Sequence, residues 1–147
     1  MLNGFVMDED RGLEKEDLSQ IRFMRGKIQE VLSYLSLITS RSTSNPFILA
    51  RIESEIGLRL DALKIVLMRI DGILEKMLGK GLDLKGFEKE ISHWIPILKR
   101  FYLVLENLSL IAGPYTDLEV FNLSAKAKKS LSDLTDFLDD IVKKNAH

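Results

Sequence analysis

The sequence predicts an all-α fold: an antiparallel up-down-up-down bundle of four long helices, with the third bent at Pro96. Three observations predict it. Apolar residues recur at alternating steps of three and four over most of the chain, the spacing that lines one face of a helix. Strand signals are nearly absent, with few valines or threonines and no useful run of alternating polarity. Short Gly-, Pro-, Asn- and Ser-containing breaks divide the periodic stretches into four, and such short connections make sequential helices antiparallel.

The first helix is expected from about Leu18 to Ser40, with Ile21, Met24, Ile28, Val31, Leu35 and Ile38 as its buried stripe. "RSTSNPF" ends it, and Asn45 followed by Pro46 is the cap and first residue of the next helix. The second helix carries Leu49, Ile52, Ile56, Leu63, Val66, Ile70, Ile73 and Met77, and stops where Gly79 or Gly81 can adopt a left-handed conformation. Asp83 is the expected cap of the third, whose stripe is Leu84, Phe87, Ile91, Trp94, Leu98, Phe101, Leu105 and Leu108. "AGPYTD" ends that helix, and Thr116 or Asp117 starts the fourth, which uses Val120, Leu123, Ala127, Leu131, Leu134, Leu138 and Ile141.

A chain of 147 residues has the size of one domain with a single core. Residues 1–17 hold six acids and two bases, net −4, and are expected as an acidic tail preceding one domain over 18–147. The helical stretch that follows the tail, through Arg41, holds four bases and one acid. The tail is therefore expected either to be solvated or to fold back onto that basic helix, anchored by Leu2, Phe5, Val6 and Met7.

Several chemistries lack their residues. There is no cysteine, which excludes disulfides, thiolate nucleophiles and cysteine metal sites. A net charge of −1 supplies no broad field for nucleic acid or an anionic membrane. The longest uncharged runs, such as Val31 to Ser40, reach about half of the roughly 20 residues a membrane span needs. The start, "MLNGFVMDEDRG", does not read as an export signal, so a cytoplasmic location is expected, and the Asn-Leu-Ser triplets at Asn107 and Asn122 read as chance. No glycine-rich phosphate loop is present; "GKGLDLKG" is a turn between helices. Scarce glutamine (Gln20 and Gln29) beside abundant Lys, Arg and Glu points to a thermophilic source.

"EISHWIPILKRF", Glu90 to Phe101, gathers the single internal histidine, the single tryptophan and a proline. Glu90 and His93 have the E-x-x-H spacing that serves di-iron bundles, but such a site needs a second motif and two more inward glutamates. The other histidine is His147, at the end of the chain. With Ile91 and Trp94 facing the core, His93 and Pro96 face outward. Trp94, Phe87 and Phe101 are expected as core anchors, and Pro96, lacking an amide for the Ser92 carbonyl, bends the helix away from it. No catalytic residue, metal, cofactor or small-molecule substrate is expected, and the chain reads as a non-enzyme.

What remains is association. Besides its core stripe, the second helix carries Leu58, Ile65, Met68 and Gly72 on the opposite side, at steps of seven, three and four. A helix apolar on two faces is expected to be covered on both. The first helix adds Phe23, Gly26 and Leu37. The expected function is protein–protein association, as an adaptor, scaffold or regulatory subunit, most simply as a homodimer through like faces. The alternative is a nucleic-acid-binding regulator using Arg22, Arg25 and Lys27 on the first helix.

Overall fold

The computed structural model describes residues 15–81 and 85–145, and every element among them is helical. The elements are α1 (Lys15–Ser42), α2 (Pro46–Glu55), α3 (Gly57–Lys80), α4 (Glu88–Thr116) and α5 (Leu118–Asn145), with a single 3-10 turn at Lys85–Phe87 before α4. The expected cap at Asp83, the stripe residue Leu84, the tail anchors Leu2, Phe5, Val6 and Met7, and His147 lie outside the described residues. Five α-helices replace the expected four because the second stretch is two helices.

The interruption has a geometric cause. Ile48, Ile52, Ile56 and Leu60 are all buried, at successive steps of four. Each such step overshoots a full turn by about 40°, so three of them would swing an unbroken helix about 120° off the core. Ile56 instead takes φ −137°, ψ 0°, ending α2 and resetting the phase of α3. The hydrogen-bond ladder crosses the break through Ile56 N–H to the Ile52 carbonyl at 3.0 Å and Leu60 N–H to the Ile56 carbonyl at 2.9 Å.

The caps follow local chemistry. Asn45 accepts from the Ile48 N–H at 3.3 Å, with Pro46 at the first helical position. Gly81 closes α3 with φ 65°, ψ 29°, a conformation that costs glycine little. α1 begins at Lys15, earlier than the expected Leu18, so residues 15–17 belong to the helix rather than to a tail. Glu16 and Asp17 there favour the positive end of the helix dipole, and Glu16 also accepts a hydrogen bond from Lys144 at the end of α5.

The six expected stripe residues of α1 are all buried. In α3 the buried row is Leu60, Leu63, Leu67, Ile70, Leu74 and Met77, while Val66 and Ile73 are half-buried. Leu49 in α2 is half-buried too, because its neighbour Ile48 takes the core position. In α4, Ile91, Trp94, Leu98, Leu105 and Leu108 are buried as expected, Phe101 and, in the preceding 3-10 turn, Phe87 are half-buried against the core, and Ile95, Val104 and Ile111 join it. In α5, Leu123 is half-buried and the small Ser124 is buried beside Val120 and Ala127. α4 passes through Pro96 with helical dihedrals; its one departure is Gly113 at φ 65°, ψ 158°.

Cross-helix pairs order the elements. On α1 and α5, Lys27 meets Asp133 at 3.4 Å and Arg41 meets Glu119 at 3.5 Å, so residue numbers rise on one helix as they fall on the other. Between α1 and α3, Arg25 meets Asp71 at 2.9 Å, while Leu35 and Ile38 share a cavity with Leu60. Asn45 donates to Asp117 at 3.3 Å, joining the N-cap of α2 to that of α5.

Candidate functional site

α3 presents the expected second stripe to solvent. Leu58 is 86% exposed, Ile65 51% and Met68 62%, and a Cβ added at Gly72 would meet nothing within 4 Å. The stripe exists because the opposite rows of α3, from Leu60 to Met77, are consumed by the core. Asp61 lies within the row, between Leu58 and Ile65, while Glu75 borders it on the side nearer α1 and Arg69 and Lys76 on the side nearer α4. Isolated exposed apolar residues are ordinary, but three aligned large ones beside an open glycine form a surface onto which a second helix can pack closely.

The additions from α1 differ. Leu37 is exposed and the space around Gly26 is open. Phe23, however, is already partnered: its ring centroid lies 4.4 Å from that of Phe137 on α5, and the Lys27 ammonium sits 5.5 Å above it. It covers the α1–α5 seam and is not continuous with the α3 stripe.

The basic residues of α1 are largely engaged within the chain. Arg25 donates from Nε and a terminal nitrogen to the two Asp71 oxygens at 2.9 and 3.3 Å; that hydrogen bond, with the Asp71 and Glu75 charges, holds its guanidinium above the ordinary value against the pull of burial. For Lys27 burial pulls down, but Glu30 and Asp133 outweigh it and raise the ammonium. Asp133 in turn is lowered, first by the hydrogen bond from Lys129 at 2.8 Å and also by Lys27. Arg41 reaches Asp117 at 3.6 Å and Glu119. Of the three expected nucleic-acid contacts, Arg22 is the one whose charge has no partner among the described residues.

His93 and Pro96 are both exposed, as the helical phase requires. His93 Nδ1 donates to the Lys89 carbonyl at 2.8 Å, which fixes its ring against its own helix. Among the described residues no group of three or more His, Asp or Glu side chains is placed to share a metal ion, and no helix is long and apolar enough to cross a membrane.

Two concavities are worth describing. A cavity of about 180 Å³ lies where α1, α2 and α3 meet at the Ile56–Gly57 break, lined by Leu35, Ile38, Leu49, Leu60 and Ser42. The Ser42 hydroxyl is buried there without a hydrogen-bond partner among the described residues, and Thr39, Glu53, Asp61 and Lys64 also line the cavity. At roughly 30 Å³ per molecule it has room for about six waters. A more open groove of about 390 Å³ runs between α3 and α4, with Arg59 and Arg100 at its rims and Ile97, Phe101 and Val104 inside. Sequence periodicity could not find this groove, because it depends on how far α3 and α4 stand apart.

No protein-family model matches the chain, and neither a curated protein nor a solved structure matches it.

Proposed function

We propose that this protein is a non-catalytic association module, self-associating through the outer face of α3 as an adaptor, scaffold or regulatory subunit. In this reading α2 and α3 act as one interrupted rod, so that four rods run up, down, up and down, with α4 curving at Pro96. The reversed order of the cross-helix ion pairs supports that topology. The observation that carries the function is the exposed, aligned row of Leu58, Ile65 and Met68 beside the open Gly72. A twofold arrangement would bury this row against itself, the commonest solution for a soluble homo-oligomer.

Light scattering at tens of micromolar should find a dimer. Ile65→Lys with Met68→Lys should leave a monomer of unchanged helix content by circular dichroism. Gly72→Ala is a sharper test: its Cβ meets nothing within 4 Å and should add about 0.5–1 kcal/mol to the monomer through helix propensity, yet it should weaken a closely packed assembly. A monomeric wild-type chain at that concentration would remove the homodimer and leave a different protein as the partner.

The nucleic-acid reading has less support, since Arg25 and Lys27 are tied into ion pairs. It predicts salt-sensitive retention on duplex DNA that charge reversal at Arg22 abolishes.

A further inference from the structure

Six polar side chains are buried among the described residues, and five of them are answered within the chain. Ser109, Ser124 and Thr135 donate to carbonyls of their own helices, Ser130 donates to Glu30, and Asp117 accepts from Val120 and Asn45. Ser42, the last residue of α1 and 0% exposed, is the exception: its hydroxyl meets no partner among the described residues. A buried hydroxyl in that condition is costly and uncommon, and it marks a place where a group from elsewhere can complete the bond.

The hydroxyl borders the cavity of about 180 Å³ at the junction of α1, α2 and α3. Leu35, Ile38, Ile52 and Leu60 line it and are all buried, while the half-buried Leu49 stands nearer the mouth. Thr39, also on the wall, spends its hydroxyl proton on the Leu35 carbonyl at 3.0 Å. Glu53 and Asp61 are exposed and Lys64 is half-buried, so charge gathers at the solvent side, whereas Ser42 lies within. Because the walls come from three helices, no periodic pattern in the sequence marks the cavity.

This arrangement selects a ligand. An apolar cavity of about 150 Å³ suffices to take up benzene, so this one has room for a single ring or a branched chain of that size. Water against Leu35, Ile52 and Leu60 finds few hydrogen bonds there, and an apolar group that displaces it gains. A charged group at the Ser42 end would give up its hydration to apolar surroundings without a counter-ion, which is prohibitive. An anion also meets two carboxylates against one ammonium at the mouth. A neutral hydroxyl avoids both penalties and completes the Ser42 bond. We propose that this cavity binds a small, uncharged, mainly apolar molecule bearing one hydroxyl, of which phenol is the simplest representative. The ring lies against Leu35, Ile52 and Leu60, and the hydroxyl shares a hydrogen bond with Ser42. None of Leu58, Ile65, Met68 and Gly72 lines the cavity, so the proposal stands independently of association through α3.

The test titrates phenol and benzene into the isotope-enriched full-length chain and follows its amide NMR signals. Both probes should give saturable shifts centred on Leu35, Leu49 and Leu60, with phenol the tighter. Ser42→Ala should weaken phenol roughly three- to tenfold, the share of one hydrogen bond, and leave benzene within about twofold. Leu49→Trp, a larger ring at the half-buried rim, should exclude both probes with helix content unchanged. No saturable shift from either probe up to about 10 mM would overturn the proposal and leave the cavity to water. Shifts centred on Ile97, Arg100 and Val104 would overturn it too, by assigning the probes to the α3–α4 groove. So would an equal loss of phenol and benzene affinity in the Ser42→Ala chain, or undiminished binding of both in the Leu49→Trp chain.

Discussion

Asp117 shows how much one side chain can carry. It is 5% exposed, caps α5 by accepting the Val120 N–H at 3.2 Å, and receives Asn45 and Arg41 from the other side of the molecule. Burial pushes its carboxyl up, but the Val120 and Asn45 hydrogen bonds and the Arg41 charge outweigh that, and the net direction is below the ordinary 3.8. A carboxyl lowered by folding stabilises the fold in full above its unfolded value, and the contribution is lost as pH falls through the folded value. Asp117→Ala should therefore cost about 1–2 kcal/mol at pH 7 in urea unfolding, and the gap from wild type should shrink as the pH falls below 3.8. Gly113 is the other residue whose identity is dictated locally: φ 65° with ψ 158° is a region that only glycine occupies readily. Gly113→Ala should cost about 1–3 kcal/mol by the same measurement. The sequence narrowed the start of this helix to Thr116 or Asp117, and the structure gives the capping role to Asp117. Its bond to Asn45, 72 positions away, was not legible there.

At the scale of elements, the break between α2 and α3 is the feature that periodicity misread. A continuous row through Leu49, Ile52, Ile56 and Leu63 can be drawn on the sequence, but so can the row through Ile48, Ile52, Ile56 and Leu60. Leucine and isoleucine are so dense here that two overlapping rows, offset by about 50°, are both apolar. Packing chose the second, placing Leu67 and Leu74 in the core and leaving Val66 and Ile73 at the groove. Gly57 sits at the break without requiring it. Its backbone is not left-handed, and an added Cβ would meet the Ile52 carbonyl oxygen at an ordinary 3.5 Å. Gly57→Ala should thus stabilise the chain by about 0.4–1 kcal/mol through the unfolded state, raising the thermal midpoint. A lowered midpoint would mean that the interruption depends on glycine itself.

Across the whole molecule the packing is uneven. α5 is the hub, set extensively against both α1 and α4, whereas α2 and α3 touch their neighbours more sparingly. Regions with fewer buried contacts open first. Amide hydrogen exchange should accordingly be fastest in α2, then α3, with the centres of α1 and α5 protected longest; equal protection in α3 and α5 would contradict this. The same unevenness explains why both surfaces of interest border α3. Among the described residues its outer face has no neighbour to cover Ile65 and Met68, and its spacing from α4 leaves the groove open.

The sequence by itself determined that the chain is helical, where most helices start and stop, and which face of α1 is buried. Those outcomes depend on interactions within four or five residues: caps, proline, glycine and the 3.6-residue turn. The exposure of Leu58, Ile65 and Met68 was likewise readable, as the side opposite a strong apolar row. Only the tertiary structure decided the phase of α3, the engagement of Phe23 by Phe137, the pairing of Arg25 and Lys27, and the cationic groove facing α4. Each of these joins side chains from different helices, and their distances depend on how the helices are spaced and rotated, which no local pattern encodes.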